Sequence, residues 1–97
     1  MSNNIPVAVW ANGDTVQNND PAKIRKDQCG AWIIFSEYGK RNTEFGWEED
    51  HITPQANGGS DELSNLRPLH WKNNAKTQDG RLTCPVIAKG TNNIGWQ

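Results

Sequence analysis

The sequence predicts an α+β fold, a small single domain in which short strands and tight turns lead to a short helix. Three observations predict it. The chain has 97 residues, so it buries only about 60 to 65% of its unfolded surface and has room for one core. Its β-branched and aromatic runs are short and bounded by Gly, Pro, Asn and Asp, the pattern of strands and turns. One stretch, His70 to Thr77, lacks breakers and reads as a helix, with Gly80 available beyond it. Hydrophobic residues make up 34% of the chain and mean hydropathy is -0.85, yet five Trp and several aliphatic clusters argue against disorder throughout.

Each element follows from local signals. Val7 to Trp10, the turn dipeptide Asn12-Gly13 and Thr15-Val16 read as an N-terminal hairpin. Asp20-Pro21 supplies an N-cap and a first-position proline, which predicts a helical turn over Pro21 to Lys26, ended by Gly30. Ala31 to Phe35 is strand-like, and Glu37-Tyr38-Gly39-Lys40 should turn it back into Arg41 to Trp47. Trp47 to Ile52 alternates before Pro54 stops it, so a strand should end near His51. Gln55 to Asp61 then carries residues suited to positive φ. Asn65 to Leu69 can return as a second strand, with Pro68 tolerated on an edge. Trp47 to Lys76 is thus strand, long loop, strand, helix. The tail from Thr91 to Gln97 is expected to be loosely held.

Composition narrows the function. No apolar run exceeds five residues, whereas a membrane helix needs roughly 20. Met1 to Asn4 lacks the basic and apolar regions of a secretory signal, so the expected compartment is the cytosol. The two cysteines, Cys29 and Cys84, lie too far apart for a zinc knuckle; one bridge between them is the alternative, but two reduced and partly buried thiols are expected. The net charge of -1 conceals an asymmetry. Ser36 to Ser64 holds seven acids and two bases, whereas Asn65 onward holds five bases and one acid. That division fits carboxylates that hold a cation beside bases that meet an anion, although ordinary surface variation gives the same count.

The informative residues are Asp50-His51-Ile52, Pro54, Gly58-Gly59, Asn65-Leu66, Pro68-Leu69 and Asn74, nine positions after Asn65. At these separations they resemble the HNH endonuclease family, whose core is a ββα-metal module, here about residues 47–77. Arg25-Lys26-Asp27, Gly30, Tyr38-Gly39, Arg41-Asn42 and Gly46-Trp47 also look like the small stand-alone members, so the resemblance extends over about half the chain, and the chain length sets the expectation of one domain over residues 1–97. Two departures stand out. Many relatives carry paired cysteines that hold a structural zinc, and the corresponding places here look like His70 and Asn73. No structural zinc is therefore expected, with Trp47, Leu66, Leu69 and Trp71 packing in its place. Relatives also often place a lysine three residues after the final motif residue, whereas Lys76 follows Asn74 by two and Asn73 by three. Spacing from Asn65 favours Asn74 as that residue, with Asn73 the reserve.

The chemistry can be built from the side chains. Hydrolysis of a phosphodiester needs an activated water, an ion against the phosphate charge, and protonation of the leaving oxygen. His51 suits the base, because imidazole titrates near neutral pH. Asp50 and the Asn74 carbonyl are hard donors of the type that Mg²⁺ or Mn²⁺ selects, although Ni²⁺ or Zn²⁺ also fits. Neighbours in a regular strand face opposite ways, so Asp50 and His51 serve one site only if the strand ends or bulges there. The resemblance gives Asn65 a positioning role, bonding across the hairpin loop to hold His51. Arg67, Lys72 and Lys76 are candidate nucleic-acid contacts, and Glu48 a lesser metal contact. The reading is thus a metal-dependent HNH endonuclease acting on DNA, with 5′-phosphate and 3′-hydroxyl products implied by the resemblance. A non-catalytic DNA-binding or assembly factor on the same scaffold, and an RNA-directed nuclease, are the alternatives. A homodimer or a larger phage or host complex stays open, as do phage DNA processing, restriction, a toxin and a mobile element.

Overall fold

A computed structural model describes residues 5–77 and 79–97. Met1 to Asn4, read above as lacking a secretory signal, lie outside them. The described residues form an α+β fold of short elements. They are α1 (Ile5–Trp10), β1 (Ile24–Lys26), β2 (Trp32–Ile34), β3 (Trp47–His51), β4 (Leu66–His70), α2 (Trp71–Ala75), β5 (Ile87–Lys89) and β6 (Asn92–Ile94). The strands pair antiparallel in sequence order, β1 with β2, β3 with β4 and β5 with β6.

The strand, loop, strand, helix unit lies where the alternation and the breakers predict it. Trp47 pairs with His70 and His51 with Leu66, and α2 follows β4 without a break. His70 makes that junction, because its Nδ1 accepts the Lys72 backbone N–H at 3.1 Å and caps the helix. The core is small and aromatic. Val9, Trp10, Ile33, Trp47 and Leu66 are buried together with Phe35 against them, and the Trp10 and Trp47 rings lie 5.1 Å apart. Of the residues expected to replace zinc by packing, Trp47 and Leu69 are fully buried and Leu66 nearly so, while Trp71 is half-buried and donates its indole N–H to the Thr43 carbonyl.

Five expectations fail, each for a tertiary reason. The N-terminal run is a helix, not a hairpin strand, because it buries Val9 and Trp10 on the core and its end is held from outside. Arg25 donates to the Ala11 and Gly13 carbonyls, and Asn12 donates to those of Leu63 and Leu66. The expected helical turn over Pro21 to Lys26 stops at Lys23, because Ile24 to Lys26 pairs with β2. Gly30, at φ +84°, therefore lies between two strands, and β2 forms its ladder with β1 and not with Arg41 to Trp47, although the Ile34 N–H donates to the Phe45 carbonyl. The tail is docked, since Asn93 is buried and exchanges hydrogen bonds with the Trp32 backbone while donating to the Glu44 carbonyl. Finally, Cys29 and Cys84 form a disulfide, not reduced thiols. The fold carries the turn after β1 to the segment before β5, with the two Cα atoms 5.3 Å apart, and a 55-residue separation cannot reveal that.

Candidate functional site

The last two residues of β3 open onto a polar cleft of about 440 Å³. Asp50, His51 and Asn74 line it, together with Glu49 and the Pro54 to Asn57 turn. The condition on Asp50 and His51 is met by the strand ending at His51, where the chain bends at Ile52. Asp50 is buried, and its Oδ2 accepts from Arg67 Nε at 2.7 Å. Its Oδ1 takes no hydrogen bond among the described residues. The His51 ring is about a third exposed, with Nε2 2.7 Å from Asp61 Oδ1.

Asn73 and Asn74 separate cleanly. Asn73 is fully buried and spends both ends of its amide, Nδ2 donating to Asp27 and to the Val86 carbonyl, Oδ1 accepting the Val86 N–H. Asn74 faces the cleft and donates Nδ2 to Glu48 Oε1 at 2.8 Å. A carboxylate accepts only, so this bond fixes the amide orientation and leaves the Asn74 carbonyl oxygen for another partner. Glu48 is held in turn by two bonds from Arg41. Burial pushes the Glu48 carboxyl up, but the bonds from Arg41 and Asn74 outweigh it and bring it below the usual range.

The loop between the strands is gathered by Asn65. Its Oδ1 accepts the Thr53 N–H at 2.8 Å, and its Nδ2 donates to the Thr53 and Ser60 carbonyls at 3.0 and 2.7 Å. Asn65 has no bond to His51 itself. The glycine pair has two distinct causes. Gly58 sits at φ +90°, whereas a Cβ on Gly59 would lie 1.7 Å from the Thr53 carbonyl oxygen.

Residues 38–80 match the HNH endonuclease family. That match supports an HNH assignment for this segment of the chain. No curated protein and no solved structure matches the chain. The HNH assignment points to a nuclease-type function, and the matched segment spans the cleft and every motif residue around it.

Around the HNH motif the basic residues divide. Arg67, expected to meet phosphate, is buried beside Asp50, and its second guanidinium nitrogen donates to Gln28 while Nη2 is buried without a partner among the described residues. It is a partner of Asp50 and not a surface contact, because the cross-strand register sets the two side by side. Lys72 donates to the Gly95 and Gln97 carbonyls and so ties down the tail. Lys76 is exposed, and its ammonium has no bonded partner among the described residues.

His70 and Asn73 belong to a buried hydrogen-bond network around Asp27. Asp27 Oδ2 accepts from the His70 backbone N–H and from Asn73, while Oδ1 accepts the Cys29 and Ala31 N–H groups. His70 Nε2 is 2.8 Å from the Glu44 carbonyl. Burial raises the Asp27 carboxyl above its ordinary range against those four donors, and burial lowers the His70 imidazole.

The donor set of the HNH cleft fits a hard divalent ion that keeps its own water. Asp50 Oδ1 and the Asn74 carbonyl are oxygens without other partners among the described residues, and the cleft is wide enough for a hydrated ion. Among the described residues, no three His, Cys, Asp or Glu side chains gather into a closed metal cage. Sequence reasoning missed Gln28, Arg41 and Asp61 as partners of site residues. Only Asp61, beside the glycine pair in the loop, carried a local signal.

Proposed function

We propose that this HNH domain is a metal-dependent endonuclease that hydrolyses phosphodiester bonds in DNA. The observation that carries the reading is the shared cleft, in which Asp50, His51 and Asn74 meet with two oxygen atoms and an imidazole edge available. Asp50 and Asn74 would hold the ion, which when bound would neutralise charge on the scissile phosphate. His51 accepts the proton of the attacking water, and its place at the strand end keeps the ring between cleft and solvent. Arg67 holds Asp50, and Glu48 turns the Asn74 carbonyl toward the cleft. The Asn65 bonds keep the loop closed behind the histidine. Lys76, at the end of α2, is the basic residue available to a phosphate, and the products are a 5′-phosphate and a 3′-hydroxyl.

Supercoiled plasmid incubated with Mg²⁺ or Mn²⁺ tests the proposal. Nicking is expected, and His51→Ala should slow it by roughly 10² to 10⁴-fold while leaving the fold intact. Binding without nicking, in either metal, would leave a DNA-binding scaffold instead, and equal rates for wild type and variant would reject the base.

A further inference from the structure

We infer that Asp61 is a positioning residue that fixes the tautomer of His51, and that Asn65 acts on the histidine through it. The effect on rate rests on the nuclease reading; the effect on the ring does not.

The His51 Nε2 to Asp61 Oδ1 distance of 2.7 Å is that of a hydrogen bond to an ionised acceptor. A carboxylate offers no proton at neutral pH, so in the neutral ring Nε2 carries the hydrogen and Nδ1 keeps the lone pair. Nδ1 takes no hydrogen bond among the described residues, so that lone pair is available to a water. On proton transfer the water O–H bond breaks and Nδ1–H forms. The resulting imidazolium keeps its Nε2–H on Asp61.

Stability gives no reason for this pair. The Asp61 side chain is 78% exposed, and exposed ion pairs contribute little to folding. Its place is nevertheless specified. Gln55 Nε2 donates to the same Oδ1 at 3.0 Å. Asn65 grips Ser60, the residue before Asp61, and Thr53, two residues after His51. One side chain thus closes the loop at both ends of the His51 and Asp61 pair without touching the ring. Gly59 permits that closure, because its Cα packs on the Thr53 carbonyl where no Cβ fits.

Long-range ¹H–¹⁵N correlation of the histidine rings, in mildly alkaline buffer where imidazole is neutral, reads the tautomer directly. The proteins are wild type, Asp61→Ala, Asp61→Asn and Asn65→Ala, with His51→Gln for assignment. Wild type and Asp61→Asn, whose side-chain carbonyl still accepts, should hold His51 as the Nε2–H form. Asp61→Ala and Asn65→Ala should give a mixture. Plasmid nicking should fall roughly 10- to 100-fold in Asp61→Ala and largely recover in Asp61→Asn. The double variant Asp61→Ala/Asn65→Ala should be no slower than the slower single variant. A pure Nε2–H ring in Asp61→Ala would overturn the proposal, as would multiplied losses in the double variant. If wild type does not nick DNA, the nuclease reading alone fails and the ring spectra still decide what Asp61 does.

Discussion

Glu48 accepts the amide N–H of Asn74 at 2.8 Å, so a residue of β3 sets which atom of the helix residue faces the cleft. Removing that acceptor frees the amide to turn. Glu48→Ala should therefore raise the Mg²⁺ concentration needed for half-maximal nicking by roughly 10- to 100-fold, whereas Glu48→Gln, which keeps a carbonyl for Asn74, should cost less. An unchanged metal titration in Glu48→Ala would show that Asn74 is oriented by something else.

The two adjacent asparagines should fail in different ways. Asn73→Ala strands the Val86 backbone N–H and carbonyl in the interior and takes one donor from the Asp27 carboxylate, and should lower stability by roughly 2 to 4 kcal/mol. Asn74→Ala removes a partly exposed side chain and should change stability by less than about 1 kcal/mol while abolishing the response to metal. Thermal melts and metal titrations of both variants separate the roles; a severe melt for Asn74→Ala with a normal titration would exchange them.

Legibility followed the range of the interactions. β3, its loop, β4 and α2 were readable because alternation, Pro54, Gly58-Gly59 and the absence of breakers after His70 act within a few residues. Asn74 was separable from Asn73 only by spacing, since burial of one and exposure of the other depend on Asp27, 46 residues away. Arg67 looked like a free cation because its partners are a cross-strand acid and Gln28, 17 and 39 residues distant. The same holds for α1, whose β-prone residues became helical where burial of Val9 and Trp10 outweighed propensity. The docked tail rests on Asn93 and Lys72 reaching across the fold, which composition does not record.

Gly59 offers a test of loop closure that leaves every polar side chain in place. Gly59→Ala sets a methyl against the Thr53 carbonyl, so the loop must open and Asn65 must lose one of its grips. Stability should fall by about 1 to 3 kcal/mol, and nicking should fall further than the loss of folded protein explains. Gly58→Asn, at a φ that asparagine tolerates, should be milder on both counts. Equal behaviour of the two variants would remove the close approach as the cause.

His70 should make the fold sensitive to mild acid. Burial holds its imidazole below the ordinary 6.5, although the Glu44 carbonyl and the charges of Asp27 and Glu44 pull it upward while Lys72 pulls it down. A group whose folded value is lowered contributes its full stability above the unfolded value, and loses it as pH falls through the folded one. The melting temperature should therefore drop as pH falls from neutral through the imidazole range. Asp27 has the opposite sign, because its carboxyl is raised and its contribution declines as pH rises through the folded value. His70→Gln should be less stable at neutral pH and flatter over that interval; a parallel pH profile would assign the slope to another group.

The disulfide makes the longest-range prediction, because it fastens both ends of the network beneath α2. Cys29 donates its N–H to Asp27, and Cys84 lies two residues before Val86, which bonds Asn73 in both directions. Closing a loop with a sequence separation of 55 residues limits the unfolded chain enough to contribute about 4 kcal/mol. Cys29→Ser/Cys84→Ser should thus melt well below the oxidised protein, and a reductant should bring the wild type to nearly the same point. Hydrogen exchange can locate the loss: the amides of Ala31 and Val86 should open before those of β3 and β4, whose pairing does not pass through the bridge. Uniform opening, or no shift on reduction, would mean that the Asp27 and Asn73 bonds hold α2 without the covalent link.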